Sequence, residues 1–264
     1  MATFLFDTIV FGPIKSRRLG ISLGVNLLSN TNKICNFNCI YCECGWNKVM
    51  KGQKLRYADA HQTIEELKTK LHTMHANNER LDVITFAGNG EPTMHPQFAQ
   101  IIDEAVDARN HYFPEAKIAV LSNATMLGRE VVREALKKVD SAILKIDSAL
   151  EPTINTINQP NFKYSLRDVI DNMKFFKGEI IIQTIFLRGE YGGIKIDNTT
   201  SEEVAAWLNV VKEIKPKLVM IYSIDRDTPA ENLQKVSFED MNNIATFVRE
   251  NNIDCSVAQN GTDE

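Results

Sequence analysis

The sequence predicts an α/β fold: a parallel sheet flanked by helices, in a single domain spanning residues 1–264. Three observations carry this reading. Short β-branched runs recur from residue 82 onward, and amphipathic segments of helical period lie between them. The polar residues capable of chemistry stand just past the apolar runs, not inside them. A chain of 264 residues is long for an average domain and ordinary for one α/β barrel.

The elements follow in order. ISLGVNLLS (21–29) is expected as the first strand, so residues 1–30 read as an N-terminal extension plus that strand. DVITFAG (82–88), KIAVLSN (117–123), SAILKID (141–147), EIIIQTIF (179–186), KLVMIYS (217–223) and DCSVA (254–258) follow. These are nearly continuous apolar runs, as strands buried on both faces require. Between them, HQTIEELKTKLHTM sets Ile64, Leu67, Leu71 and Met74 on one stripe. SEEVAAWLNVVKEI does the same with Val204, Leu208 and Val211, and SFEDMNNIATFV with Phe238, Met241, Ala245 and Val248. Ser201 and Ser237, each followed by acids, read as helix N-caps. The alternation argues for right-handed βαβ units. Periodicity alone leaves both an open doubly wound sheet and a barrel available.

Composition narrows the function classes. The chain is 44% hydrophobic and 24% charged, with a formal net charge of −4. An acidic balance disfavours a general nucleic-acid surface, which normally carries a basic excess. The N-terminal basic residues follow the apolar stretch, the reverse of signal-peptide order. No apolar run approaches the roughly 18 residues a membrane span needs. A cytoplasmic protein with no membrane partner is therefore expected, with its thiols reduced.

That expectation bears on CNFNCIYCECG (35–45), which holds four of the five cysteines. Disulfides are a poor account of reduced thiols. A structural zinc site needs four tetrahedral ligands, and Cys35, Cys39, Cys42 and Cys44 number four. The C-x-C step at 42–44 is tight, however, and no second C-x2-C pair lies downstream. A [4Fe–4S] cluster normally takes four thiolates. Three thiolates from one short loop would leave one iron open to a substrate or cofactor.

C-x3-C-x2-C with an aromatic before its last cysteine resembles the signature of the radical S-adenosylmethionine (SAM) superfamily. The resemblance implies a cluster loop at 35–45 in which Cys35, Cys39 and Cys42 hold three irons of a [4Fe–4S] cluster. SAM chelates the fourth iron and is cleaved reductively. The resulting 5′-deoxyadenosyl radical abstracts hydrogen from a substrate. It also implies a partial parallel (βα)6-type TIM-like barrel, and an electron donor such as flavodoxin or ferredoxin.

Further motifs resemble the family in the same order. FAGNGEPTMHP (86–96) is similar to its Gly-Gly-Glu-Pro element, with Asn89 and Gly90 in the first two places. By resemblance, the backbone at Gly88, Asn89 and Gly90 and the carboxylate of Glu91 receive the SAM ammonium, a charge-assisted role suited to a carboxylate. A dinucleotide loop is the other reading, but Thr93 stands where G-x-G-x-x-G needs glycine. LSNAT (121–125) resembles the strand end that contacts SAM through Ser122 and Asn123; a turn or cap is its plain alternative. Lys145 and Asp147 resemble the family's Lys-x-Asp strand end. They are the candidate catalytic pair, with a buried structural pair as the other reading. Gln183 and Arg188 are candidates to cover SAM, and the Tyr41 carbonyl to meet its adenine.

VFGPIKSRRLGISLGVNLL resembles a subgroup related to wyosine-base synthases, which remodel a guanine in tRNA. No cysteine precedes Cys35 to hold the second cluster of those enzymes, and the chain is acidic. The expected substrate is therefore a small, polar, anionic molecule, with a tRNA as the alternative partner. Arg17, Arg18, Asp225 and Arg226 are the candidates to position it, since paired guanidiniums clasp phosphate or carboxylate. A non-catalytic iron–sulfur carrier is the remaining alternative.

Overall fold

Strand alternation and helix capping build the architecture of the computed structural model, which describes residues 4–16, 19–47 and 55–258. The strands are β1 (Val10–Ser16), β2 (Gly20–Val25), β3 (Val83–Phe86), β4 (Lys117–Ser122), β5 (Ser141–Lys145), β6 (Ile181–Ile185), β7 (Leu187–Tyr191), β8 (Ile194–Asp197), β9 (Leu218–Tyr222), β10 (Leu233–Lys235) and β11 (Cys255–Val257). The helices are α1 (Ala60–Ala76), α2 (Phe98–Tyr112), α3 (Glu130–Leu136), α4 (Glu151–Ile157), α5 (Leu166–Lys174), α6 (Ser201–Ile214) and α7 (Phe238–Glu250). Each predicted run from residue 82 onward is a strand, shorter by one to three residues than the run.

One sheet takes the order β1-β2-β3-β4-β5-β6-β9-β11. From β2 onward its neighbours pair in parallel. This is the partial, unclosed barrel of the sequence expectation. β7, β8 and β10 form a separate antiparallel sheet.

The first strand departs from expectation. GPIKS was read as part of an extension, yet Val10–Ser16 forms β1 and pairs antiparallel with β2. Pro13 is tolerated because β1 is an edge strand, with a register shift between Phe11 and Ile14. A side chain at Gly24 would overlap the Phe11 ring, which lies across it. Only glycine there lets the two strands close.

Period-2 alternation divides the sheet's residues between two cores. Leu23, Ile84, Val120, Leu144 and Ile182 pack outward against the helices. Val83, Ala119, Ile143 and Ile181 face inward with Leu19, Leu121, Leu218 and Met220. Ser237 caps α7, accepting from Asp240 N, whereas α6 is capped by Thr200, one residue before the expected Ser201. Thr200 wins because its hydroxyl reaches Glu203 N.

Candidate active site

Because the parallel strands share one direction, their C-terminal ends converge, and the cysteine loop after β2 lies over them. A chamber of about 230 Å3 is lined by Cys35, Cys39, Cys42, Lys33, Gly88, Gly90, Glu91, Ser122, Asn123, Lys145 and Gln183. Residues far apart in sequence thus share one cavity.

The loop is held at its start by Asn26, whose Oδ1 accepts from Leu28 N (3.2 Å) and Asn89 N (3.1 Å). Asn89 is fully buried and its side chain is structural. Its Nδ2 donates to the Phe6 and Ser29 carbonyls, both at 2.8 Å, and its Oδ1 accepts from Phe6 N at 2.9 Å. It ties the N-terminal segment, the cysteine loop and the end of β3 together. Ile34 then bridges Gly90 in parallel, donating to the Asn89 carbonyl (2.8 Å) and accepting from Glu91 N (3.0 Å). Gly90 has φ +138°, and a Cβ there would overlap the Ile34 carbonyl, so this close approach needs glycine.

Glu91 is buried at the centre of a donor ring. Oε1 accepts from Ser122 Oγ (2.8 Å), Thr93 N (3.0 Å) and the Thr93 hydroxyl, and Oε2 from Asn123 N (2.6 Å). Burial pushes its pKa up, against the pull of these hydrogen bonds. Since a carboxylate offers about four lone-pair sites, one on Oε2 remains for a ligand cation. Asn123 extends the ring to the cysteines, with Nδ2 donating to Asn36 Oδ1 (2.8 Å) and lying 3.6 Å from Cys35 Sγ.

On the other side of the thiols, Lys145 Nζ lies 3.0 Å from Cys39 Sγ and 3.1 Å from Asp147 Oδ2. Asp147 also accepts from Asn158 Nδ2 (2.7 Å), Ile185 N (3.2 Å) and the Tyr41 hydroxyl. These bonds lock the cysteine loop onto β5, β6 and the end of α4. Burial lowers the Lys145 pKa, but Asp147, Cys39 and Tyr222 together hold it well above the ordinary lysine value.

The thiols are all free. Among the described residues, no three His, Cys, Asp or Glu side chains close on a point fit for a single metal ion. The three thiols instead border a chamber, with N–H donors aimed at sulfur from Phe37 N (3.4 Å), Asn123 and Lys145. Burial pushes Cys35 up to about 12, against Lys33. A hydrogen bond from Cys44 brings Cys42 down to about 5, aided by Lys33. This donor set suits an anionic polynuclear centre, whose sulfurs take N–H bonds. Cys44 itself lies 3.3 Å from the Gly88 carbonyl.

A second chamber of about 280 Å3 shares Tyr41, Cys42, Leu121, Gln183 and Tyr222 with the first and adds Ser223, Asp225, Arg226 and Thr228. Gln183 stands between the two, opposite Lys145 on β5 and Met220 on β9. Arg226 donates to Glu43 (2.8 Å), bridging to the cysteine loop, and Lys235 lies 3.3 Å from Asp225.

One sequence candidate does not join this assembly. The Arg188 guanidinium is engaged with Asp240 (2.9 Å), Asp197 (3.2 Å) and Thr199, in the sheet of β7 and β8, and lines neither chamber. Arg17 and Arg18 lie outside the described residues. Conversely, sequence reasoning missed Lys33, Asn36 and Asn158. Lys33, two residues before Cys35, carried the one available signal, a cation abutting the motif.

Comparison with known proteins gives the family and the fold. A family model described as the radical SAM superfamily matches residues 29–192. A protein named GTPase Obg from Brachyspira hyodysenteriae is 30% identical over 94% of this chain but only 34% of its own length. A UPF0026 protein from Methanocaldococcus jannaschii is 33% identical over 79% of this chain and 61% of its own. The chain thus spans about one third and three fifths of these relatives. In fold it is similar to Streptococcus suis SuiB bound to precursor peptide SuiA (TM-score 0.63, 12% identity, 92% of this chain and 50% of that one). It is also similar to anSMEcpe with bound AdoMet (TM-score 0.56, 16% identity, 89% and 63%).

Proposed function

Because the chain belongs to the radical SAM superfamily, whose members use a [4Fe–4S] cluster and SAM, we propose that it is a radical SAM enzyme acting on a small, polar, anionic substrate. The carrying observation is the shared chamber: three free thiols on one side, and Glu91, Ser122 and Asn123 on the other. When bound, the cluster would supply one electron for reductive cleavage of SAM, the chemistry that would start hydrogen abstraction from the substrate.

The residues divide the work. Cys35, Cys39 and Cys42 hold the cluster. Glu91 receives the SAM ammonium on its remaining lone pair, and its other bonds hold Ser122 and Asn123 in place. Lys145 and Asp147 position the cysteine loop through Cys39 and Tyr41. Gln183, free of side-chain hydrogen bonds among the described residues, orients ligand where the two chambers meet. Arg226 offers its guanidinium to an anionic group by exchanging the exposed Glu43 bridge. The size of the second chamber and the net charge of −4 favour a small molecule over a tRNA.

The test is anaerobic reconstitution with iron and sulfide, followed by dithionite and SAM. The expected result is broad iron–sulfur absorbance and 5′-deoxyadenosine release. A protein that binds the cluster without releasing 5′-deoxyadenosine would be a carrier instead. Deuterium transfer into 5′-deoxyadenosine from labelled small anions, or from tRNA, then decides the substrate class.

A further inference from the structure

Two lysines face the thiols, and they differ in one respect. The charge of Lys145 is matched inside the protein by Asp147, 3.1 Å away. Lys33 is 2% exposed, and its Nζ donates to the Gly45 carbonyl at 2.9 Å. It borders the same chamber as Cys35, Cys39 and Cys42. Among the described residues no carboxylate forms an ion pair with it. A buried ammonium without a counter-ion is strongly disfavoured. Its position makes sense when the counter-ion is the centre that the thiolates hold.

Resting on the reading that these thiols carry a [4Fe–4S] cluster, we propose that Lys33 sets the cluster's reduction potential. Reduction adds one negative charge to a centre already anionic through its thiolates. A fixed cation nearby stabilises the reduced state more than the oxidised one, and burial keeps water from screening it. The amide donors at Phe37, Asn123 and Asn158 act in the same direction, but only as dipoles. The Lys145–Asp147 pair contributes less, because its charges cancel. Lys33 is thus a positioning charge that tunes the electron the cluster delivers.

A redox titration of the reconstituted full chain, followed by absorbance and electron paramagnetic resonance without SAM or substrate, tests this. Lys33→Gln keeps a donor for the Gly45 carbonyl and removes the charge. It should lower the reduced-to-oxidised ratio at fixed potential by about tenfold, a shift of about 59 mV for a one-electron couple. Lys33→Arg, which keeps the charge, should stay near wild type. Asp147→Asn, which leaves Lys145 uncompensated, should shift the midpoint in the opposite direction. A Lys33→Gln protein with full iron and a wild-type midpoint overturns the proposal. So does loss of iron in Lys33→Gln with retention in Lys33→Arg, which would assign Lys33 to cluster assembly. Failure of the wild-type chain to take up a cluster would instead overturn the proposed function.

Discussion

The two sides of the mouth are built by different rules. Over β2 to β5, the polar groups at and behind the mouth are buried and almost fully engaged with one another. Asn89, Glu91, Ser122, Asn123 and Asp147 each serve two or more hydrogen bonds, which cross between loops. Over β9, the groups facing the second chamber sit nearer to solvent. Arg226 and Glu43 are 64% and 49% exposed in their side chains and meet in a surface bridge. The first side is preorganised, and the second is free to rearrange. That is the division expected between a shared cofactor and a particular substrate.

Mutations can break or sharpen this contrast. The largest effect belongs to the thiols. Cys35→Ala, Cys39→Ala and Cys42→Ala should each abolish cluster incorporation, measured as iron and sulfide per chain after reconstitution. Cys44→Ala should keep wild-type iron content. Loss in Cys44→Ala with retention in Cys42→Ala would reverse the ligand assignment.

Next comes Asp147→Ala, which strands Lys145 and frees the Tyr41 hydroxyl. Breaking a buried pair from one side costs about 3–5 kcal/mol, so denaturant unfolding should show a loss of that order. A loss under about 1 kcal/mol, typical of an exposed pair, would mean that the early side is not rigid.

Glu91→Gln should follow, at about 1.5–3 kcal/mol in SAM binding, or roughly 10- to 150-fold in affinity by calorimetry. The cluster should remain. Because the amide turns a donor toward the ring, part of this effect acts through Ser122 and Asn123. Unchanged affinity would remove Glu91 from the SAM site.

Arg226→Ala should have the smallest effect on the protein itself. An exposed bridge contributes about 0–1 kcal/mol, and cluster content and SAM affinity should stay at wild type. Only substrate-dependent hydrogen transfer should fall. A matching loss of SAM affinity would erase the distinction between the two sides.

Several parts of this molecule were legible before any coordinates. The C-x3-C-x2-C spacing and the aromatic Tyr41 marked the three thiols that share the chamber, because a loop motif is local and leaves a spacing. The apolar runs located the strands from β3 onward, because burial on both faces leaves little choice of residue. The placement of Glu91, Ser122 and Asn123 past those runs followed from the shared direction of parallel strands. What fell short was not local. Val10–Ser16 pairs as a strand only because Phe11 can lie across Gly24, a contact between separated positions. Arg188 carries the same charge as Arg226, and only the tertiary arrangement turns one toward Asp240 and leaves the other at the mouth. Lys145 and Lys33 look alike as letters; the Lys-x-Asp spacing already offered Lys145 a carboxylate, but it took the fold to bury Lys33 beside the thiols without one among the described residues. The sequence by itself determined where the thiols and the strand-end polar groups stand, through spacing and burial period, while their expected roles toward iron and SAM came from the family resemblance. The tertiary structure decided which charges are spent on one another and which are left for a ligand, because pairing depends on distances that no linear pattern encodes.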